Sequence, residues 1–117
     1  TWWTFEEAGH NDEAQKETAK LIGKKIFSTP KPVKLISRMV EICTKAGDIV
    51  LDFFAGSGSA AHAVMQESVK SGRRRSISVQ LPELCAEKSE AYLSGYKTIA
   101  DISKDRIRKA GKKIKEN

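Results

Sequence analysis

Residues 51–59, Leu-Asp-Phe-Phe-Ala-Gly-Ser-Gly-Ser, decide the fold of this chain of 117 residues. An apolar run ends at Asp52, Gly56 and Gly58 then flank a serine, and an alanine-rich stretch of helical character follows over residues 60–65. A strand, a glycine turn and a helix in this order cradle a nucleotide-like ligand at the carboxyl end of a strand in doubly wound sheets. The stretch therefore predicts an α/β fold with parallel strands, flanking helices and a ligand site at the turn.

The same stretch departs from two common phosphate-binding patterns. Ala61 replaces the third glycine of the dinucleotide fingerprint, and no Gly-Lys-Ser/Thr sequence follows the turn, as a phosphate loop requires. An acidic residue at the strand end, Asp52, suits a cationic or hydroxyl-bearing ligand better than a phosphate.

A second motif, Thr29-Pro30-Lys31-Pro32, lies upstream of the turn. Two prolines around one residue force an extended entry, and Pro32 fits the first turn of a following helix. We predict that helix over residues 32–45, with Gly47 as its end. Its apolar face at helical spacing would consist of Leu35, Ile36, Met39, Val40 and Cys43. Taken alone, this motif is equally typical of a capped surface helix.

Together, the two motifs resemble those of S-adenosylmethionine-dependent DNA amino-methyltransferases. The order of the motifs is similar to that of the circularly permuted adenine-N6 class, in particular the modification subunits of type III restriction-modification systems. Residues 79–83 (Val-Gln-Leu-Pro-Glu) and 95–102 (Gly-Tyr-Lys-Thr-Ile-Ala-Asp-Ile) resemble the same subgroup. The resemblance implies S-adenosylmethionine as cofactor and a partial Rossmann-like methyltransferase fold.

The resemblance also implies roles for the motif residues. Asp52 would face the methionine end of the cofactor and favour its positive charge, while Phe53 would line the pocket. The turn backbone would wrap the methionine part, and the Thr-Pro-Lys motif would form the opposite wall. The turn residues are Ala55, Gly56, Ser57 and Gly58. The residues of the opposite wall are Thr29, Pro30 and Lys31, and Lys31 would reach the cofactor carboxylate. Structural roles stay open for three residues: Asp52 as a cap of the next turn, Phe53 as a core residue and Lys31 as an exposed lysine.

The predicted second strand, residues 76–81, ends before Pro82 and alternates apolar with polar residues. Nucleotide-binding folds usually place an acid at the end of this strand, where it accepts hydrogen bonds from the ribose hydroxyls. Here the matching position is Gln80, whose amide can accept from one hydroxyl and donate to another. Glu83 is the other candidate for the ribose.

The family's catalytic tetrapeptide, Asp/Asn-Pro-Pro followed by an aromatic residue, is absent. Its polar side chain orients the target amine and its aromatic ring stacks on the flipped base, but Pro30, Pro32 and Pro82 are all unpaired. In the permuted class this motif lies upstream of the cofactor motif. We therefore assign no catalytic residue and expect that this piece alone does not methylate DNA.

Spacing of apolar residues predicts the remaining elements. A short helix capped by Asn11 or Asp12 would bury Ala14, Thr18, Leu21 and Ile22, and a loop would follow over residues 26–31. The first strand would cover residues 48–53. Further helices are predicted over residues 59–70, 83–94 and 99–114, with Gly72 ending the first of them.

Two predicted strands make a poor core by themselves. The alternation of helices and strands implies a parallel pair with a right-handed crossover. Either two copies assemble or the chain is part of a larger sheet, and the resemblance favours the second. The expected division is a lead-in segment (1–28), a cofactor-binding core (29–83) and C-terminal helices (84–117).

Composition narrows the location and the chemistry. The chain is 39% apolar and 31% charged, has no apolar run of about 20 residues and has no recognisable signal peptide. We expect a cytoplasmic protein with no contact with a membrane. Cys43 and Cys85 are predicted to be buried, reduced thiols, and the spacing of His10 and His62 predicts no metal site.

The net charge of +6 is unevenly placed. Basic residues cluster at residues 73–75 and in the last helix, at Lys104, Arg106, Arg108, Lys109, Lys112, Lys113 and Lys115. Such clusters suit nucleic-acid phosphates, although a solvated helix face gives the same pattern. The resemblance implies DNA as partner of the full-length protein, together with a restriction subunit.

Three alternatives remain at this stage. The target could be the N4 amine of cytosine, because the cofactor half hardly distinguishes the two amines. A non-catalytic basic module for DNA binding or assembly would have no cofactor affinity and salt-sensitive DNA binding. The exposed pair Trp2-Trp3 and an open sheet edge also leave a homodimer open.

Overall fold

The computed structural model describes residues 2–117. Its elements in chain order are helices α1 (Phe5–Ala8), α2 (Asn11–Ile22) and α3 (Val33–Cys43), strand β1 (Ile49–Asp52), helix α4 (Ser59–Ser71), strand β2 (Arg75–Ser78), and helices α5 (Glu90–Leu93) and α6 (Ile99–Glu116). The α/β alternation of the prediction is confirmed. Helix α3 packs on α1 and α4, and α6 packs on both α2 and α4.

The two strands form a parallel sheet, as predicted, with α4 as the connection between them. Leu51 is paired with Ile77, and Asp52 with Ser78. The predicted second strand was too long at its end. Beyond Ser78 the Val79 N–H donates to the Asp52 carbonyl at 2.8 Å, and the Val79 carbonyl accepts from the Ala55 N–H of the following turn at 3.0 Å. Beyond Asp52 the first strand turns away, so Leu81 has no ladder partner there.

The main buried cluster brings the two ends of the chain together. It contains Ile22, Ile26, Cys85, Ala91 and Ile102, with Leu21, Phe27, Tyr96 and Ile99 packed around them. The predicted face of α2 is confirmed, since Ala14, Thr18 and Ile22 are buried and Leu21 is partly buried.

The N-terminus of α2 is capped one residue earlier than predicted. His10 is the cap: its Nδ1 accepts from the Asp12 N–H at 3.3 Å, and the Glu13 carboxylate accepts from the His10 N–H at 3.3 Å. Asn11 and Asp12, the two predicted caps, are already helical. The reciprocal pair is a capping box in which an imidazole takes the place of the usual hydroxyl.

Helix α3 differs from the prediction in its end and its face. It ends at Cys43, because the Thr44 hydroxyl donates to the Val40 carbonyl at 2.6 Å and the chain becomes extended there. Gly47 lies instead in the turn before β1, with a φ of 95°. The buried residues are Val33, Ser37 and Val40, whereas Met39 and Cys43 are exposed.

The predicted burial of Cys43 is therefore wrong, and that of Cys85 is confirmed. The physical reason is that α1 and α4 cover the stripe next to the one that the spacing selected. Leu35 and Ile36 are partly buried.

The helix predicted over residues 83–94 is reduced to α5, a single turn capped by the Ser89 hydroxyl. Residues 83–85 are extended because they pair with residues 97–99. The Cys85 N–H donates to the Lys97 carbonyl at 2.9 Å, and the Ile99 N–H donates to the Glu83 carbonyl at 2.9 Å. This pairing fixes the start of α6.

One face of the sheet is open. Ile49, Leu51 and Ile77, which share that face in the register, are each about half exposed (50%, 49% and 52%). Parallel sheets normally have both faces covered. Among residues 2–117 no helix is both long enough and apolar enough to cross a membrane.

Arg74 belongs to the interior and not to a basic surface patch. Its side chain is buried and joins the end of α3 to the end of α4. The guanidinium donates to the Thr44 hydroxyl at 2.7 Å, the Thr44 carbonyl at 3.2 Å, the Ser71 hydroxyl at 3.0 Å and the Gly72 carbonyl at 2.8 Å. Arg73 and Arg75 remain exposed.

Candidate ligand-binding site

The turn after β1 takes its shape from one carboxylate and two glycines. The Asp52 Oδ1 accepts a hydrogen bond from the Phe54 N–H at 3.0 Å, so the side chain does cap the turn. Gly56 and Gly58 have φ values of 53° and 81°, in the left-handed region that favours glycine. Gly58 is the N-cap of α4 and gives that helix no side-chain cap. The first N–H groups of α4 therefore have no partner within the helix.

The turn is joined to the end of β2. The Ala55 N–H donates to the Val79 carbonyl at 3.0 Å, and the Gly56 N–H donates to the Gln80 Oε1 at 2.7 Å. The other end of the same amide, Gln80 Nε2, donates to the Leu81 carbonyl at 3.3 Å. Gln80, predicted as a ribose ligand, thus has both ends of its amide engaged inside the protein.

A cavity of about 200 Å³ opens between this turn and the Thr-Pro-Lys motif; we call it the turn cavity. Of the predicted site residues it is lined by Thr29, Lys31, Asp52, Ala55, Gly56 and Ser57, and also by Phe27, Ile36, Phe54, Ser59 and Ala60. The two predicted walls therefore face each other. The polar groups at its surface are a carboxylate, an ammonium group and hydroxyls.

A second cavity of about 540 Å³, the aromatic cavity, lies at the end of β2. It is lined by the predicted residues Phe53, Gln80 and Glu83 together with Phe54, Val79 and Leu81. Phe54 lines both cavities, and its side chain is 90% exposed. Phe53 is also exposed, which contradicts a role in core packing.

Two predicted residues line neither cavity. Pro30 is buried and holds the loop that carries Thr29 and Lys31. Gly58 is buried below the turn, where an added Cβ would lie 3.0 Å from the Ile107 Cγ1 and 3.3 Å from the Ser103 carbonyl. Its role is therefore close packing against α6.

Helix α6 clamps the turn from below with residues of one face. The Ser103 hydroxyl donates to the Gly56 carbonyl, Ile107 packs under Gly58, and Arg106 reaches the Ser57 side chain at 2.9 Å. The spacing 103, 106 and 107 is one face of a helix. The turn is thus held by α6 as well as by the sheet.

Arg106 is the largest fully buried side chain among the described residues, with an exposed fraction of 0%. Its Nη1 lies 3.0 Å from the Thr18 hydroxyl, 2.9 Å from that of Ser57 and 3.1 Å from that of Ser59, and these three acceptors share its two hydrogens. Its Nη2 lies 3.5 Å from the His62 Nδ1, and its Nε is buried with no hydrogen-bond partner. The sequence-based assignment of Arg106 to a DNA-binding surface is wrong.

The environment of Arg106 shifts the pKa values of its neighbours. Burial, and next the Arg106 charge, lower the pKa of His62 to about 4, so the buried imidazole is neutral. Burial raises the pKa of Glu17, and the attraction of Arg106 partly offsets that shift. Burial also lowers the pKa of Arg106, but a guanidinium stays protonated in proteins.

Sequence reasoning missed Arg106, although a signal for it existed. The buried residues of α6 are Ile102, Ser103, Arg106 and Ala110, at helical spacing. Arg106 therefore lies in phase with the buried face. Phe54 was missed as well, even though it adjoins Phe53 in the quoted stretch.

Metal ligands are not brought together in the described part of the chain. Among residues 2–117 no three His, Cys, Asp or Glu side chains lie close enough to hold an ion.

Comparison with known families gives a match over nearly the whole chain. A sequence model of the N6/N4 family, described as DNA methylase, matches residues 1–108. The type III restriction-modification enzyme StyLTI Mod subunit of Salmonella typhimurium is 36% identical over 114 residues, which is 97% of this chain and 18% of that protein.

Two further relatives show the same proportions. The type III restriction-modification enzyme EcoPI Mod subunit of Escherichia phage P1 is 46% identical over 86% of this chain and 16% of its own length. The type II methyltransferase M.KpnI of Klebsiella pneumoniae is 34% identical over 84% of this chain and 24% of its own length. The chain thus spans less than a quarter of each of these relatives.

Proposed function

Because this chain belongs to the N6/N4 DNA methylase family, we propose that it is the S-adenosylmethionine-binding part of a DNA methyltransferase that modifies the N6 amine of adenine. The observation that carries the proposal is the juxtaposition of the turn cavity and the aromatic cavity at the carboxyl ends of both strands. Ligands of open α/β sheets bind at this edge.

The chemistry of the turn cavity fits the amino acid end of the cofactor. The methionine part carries an ammonium group, a carboxylate and a sulfonium. In our proposal the Asp52 carboxylate attracts the cationic groups, and Lys31 and the Ser57 and Ser59 hydroxyls bind the carboxylate. Ala55 and Gly56 bring the backbone close to the ligand.

The chemistry of the aromatic cavity fits an adenosine. The exposed rings of Phe53 and Phe54 offer stacking surfaces for a flat base, and Val79 and Leu81 add apolar walls. Since the Gln80 amide is engaged by Gly56 and Leu81, Gln80 supports the turn and Glu83 becomes the acceptor for the ribose hydroxyls.

The bound cofactor would supply a methyl group on a sulfonium, which an amine nitrogen can attack without a metal. The residues of this chain bind and orient that donor. The Asp/Asn-Pro-Pro-aromatic motif would position the target amine. We place this motif in a part of the longer protein that corresponds to the unmatched length of the relatives. We propose the division into a lead-in segment (1–28), a cofactor-binding core (29–83) and C-terminal helices (84–117).

The open sheet face supports a Rossmann-like sheet completed by other parts of a longer protein. Ile49, Leu51 and Ile77 are half exposed. Apolar residues of a parallel sheet are exposed in this way when the layer that normally covers the sheet face is missing. By similarity to the type III Mod subunits, we propose that this longer protein acts on DNA together with a restriction subunit.

Calorimetric titration of the chain with S-adenosylhomocysteine, the demethylated product, tests cofactor binding. We expect micromolar affinity and its loss in Asp52→Asn. This substitution keeps the Oδ1 that accepts from Phe54 and removes only the charge, whereas Asp52→Ala removes both. Equal affinity of Asp52→Asn and the parent would refute the role of the charge. No binding by the folded parent would refute a cofactor site in this chain and favour a non-catalytic basic module.

The target base needs a second experiment. A longer protein that contains the Pro-Pro motif would be incubated with DNA and labelled cofactor, and the nucleosides would be separated. We expect N6-methyladenine. Label in N4-methylcytosine would establish the alternative target, to which the family description applies equally well.

A further inference from the structure

Arg106 carries a charge with no opposite charge against it. Within residues 2–117 no carboxylate lies within 4.0 Å of its guanidinium, and its partners are three hydroxyls and a neutral imidazole. Burying such a cation is unfavourable unless a counter-charge is present. Glu17 acts on it only at longer range. The interior beside the turn is therefore electrostatically incomplete.

The two serines between Arg106 and the turn cavity have a hydrogen to spare. Ser57 and Ser59 both accept from the Arg106 Nη1, and their hydroxyls lie 3.1 Å apart, so one donates to the other. Two hydroxyls have two hydrogens, and the mutual bond uses one of them. The remaining hydrogen needs an acceptor, and both serines line the turn cavity.

The backbone beside these serines also favours binding of an anion. Gly58 begins α4, a helix of 13 residues without a side-chain cap. The free N–H groups and the positive end of the helix dipole favour an anion there. The Arg106 guanidinium, whose Nη1 lies 2.9 Å from the Ser57 hydroxyl, adds a full positive charge beside the same turn.

We propose that Arg106 is a positioning residue for the carboxylate of the bound ligand. It acts through Ser57 and Ser59, whose hydroxyls it orients and polarises, and one of which donates to the carboxylate from the wall of the turn cavity. The anion then supplies the counter-charge that the guanidinium lacks. This inference rests on the proposed function and deepens it, because it assigns the recognition of the amino acid end to a residue of the last helix.

Two ligands separate this role from a merely structural one. S-adenosylhomocysteine has the carboxylate, whereas 5′-methylthioadenosine shares the nucleoside and the sulfur but lacks the amino acid end. In Arg106→Met, which replaces the apolar stem of the side chain and removes the guanidinium, we expect the affinity for S-adenosylhomocysteine to fall about tenfold to a hundredfold, the value of a charge-assisted hydrogen bond. The affinity for methylthioadenosine should change less than about twofold.

Three controls complete the titration. Arg106→Lys keeps the charge and should recover part of the lost affinity. Arg38→Met removes an exposed arginine of α3 and should bind both ligands as the parent does. The double variant Ser57→Ala with Ser59→Ala leaves Arg106 in place and should show the same selective loss, which keeps the inference testable if Arg106→Met does not fold.

The outcomes are distinct. If the parent binds neither ligand, the proposed function fails and the inference fails with it. If the parent binds both ligands and the folded variants lose both equally or neither, the proposed function stands and the positioning role is overturned. Loss confined to the ligand with the carboxylate supports the inference.

Discussion

At the scale of single residues, Gly58 offers a direct measure of how tightly α6 holds the turn. Gly58→Ala would combine a left-handed φ of 81° with a Cβ placed 3.0 Å from Ile107. Gly95→Ala, at a φ of 95° with nothing within 4 Å, carries the conformational cost alone. We expect a loss of about 1–2 kcal/mol for Gly95→Ala and a further loss of roughly 1–3 kcal/mol for Gly58→Ala, measured by urea unfolding. Equal losses would show that α6 yields to the added methyl group.

His62 makes stability depend on pH. Its pKa is about 4 in the folded chain, against 6.5 in a solvated state, so the unfolded chain binds more protons between those values. Its contribution is present at neutral pH and is lost as the pH falls through this window. At about 1.4 kcal/mol per pKa unit the full effect is on the order of 3 kcal/mol.

His62→Gln tests this dependence, because glutamine keeps an acceptor for Arg106 and does not titrate. Unfolding free energies would be measured at about pH 7 and about pH 5. We expect the parent to lose more stability over this interval than the variant. Parallel pH profiles would mean that the imidazole is protonated in the folded chain as readily as in the unfolded one.

Some of these residues can be predicted from sequence and others cannot. The turn glycines can be predicted from the sequence, because a left-handed φ is a local requirement that few other residues meet. Asp52 and its neighbours follow from the same local pattern. Arg106 was assigned to the surface by residue type, and only its phase on α6 pointed inward. Its partners lie on α2, the turn and α4, and no local pattern specifies them.

At the scale of elements, Arg74 fastens the helix ends that flank the sheet. Arg74→Met would leave the Thr44 and Gly72 carbonyls without a donor. We expect a loss of roughly 2–4 kcal/mol in urea unfolding. The exposed neighbour Arg75 provides the control, and Arg75→Met should stay within about 0.5 kcal/mol of the parent. Similar unfolding free energies for the two variants would show that the Arg74 hydrogen bonds do not stabilise the fold.

The same scale shows why element boundaries escaped prediction. Helical spacing predicts that α2, α3, α4 and α6 exist. It predicts which face of a helix is buried only where the neighbouring element is close in sequence. Residues 83–85 carry a helical pattern but pair with residues 97–99, and that tertiary pairing outweighs local propensity. The stripe chosen for α3 was wrong because spacing alone does not say which neighbour covers it.

At the scale of the whole molecule, the open sheet face predicts self-association of the isolated chain. Leu51 and Ile77 are paired on that face and half exposed, and exposed apolar patches favour association. We expect a sedimentation coefficient that rises with concentration and a smaller rise in Leu51→Lys.

Val50→Lys is the matched control, since Val50 lies next to Leu51 on the less exposed side of β1. It should lower the unfolding free energy by roughly 1–3 kcal/mol, because Val50 is partly buried and a lysine charge is unfavourable there, whereas Leu51→Lys should leave it nearly unchanged. A parent that sediments as a monomer at every concentration would contradict the prediction.

The clamp of α6 on the turn also sets an order of events during synthesis. Arg106 contacts Thr18 across 88 residues of sequence and Ser57 across 49. A growing chain emerges from the ribosome N-terminus first, so the turn exists for some time without its guanidinium. Ligand affinity should therefore arise late, when α6 has docked. From that moment a bound ligand would add its own free energy to the folded state, and that free energy would also stabilise the docked position of α6.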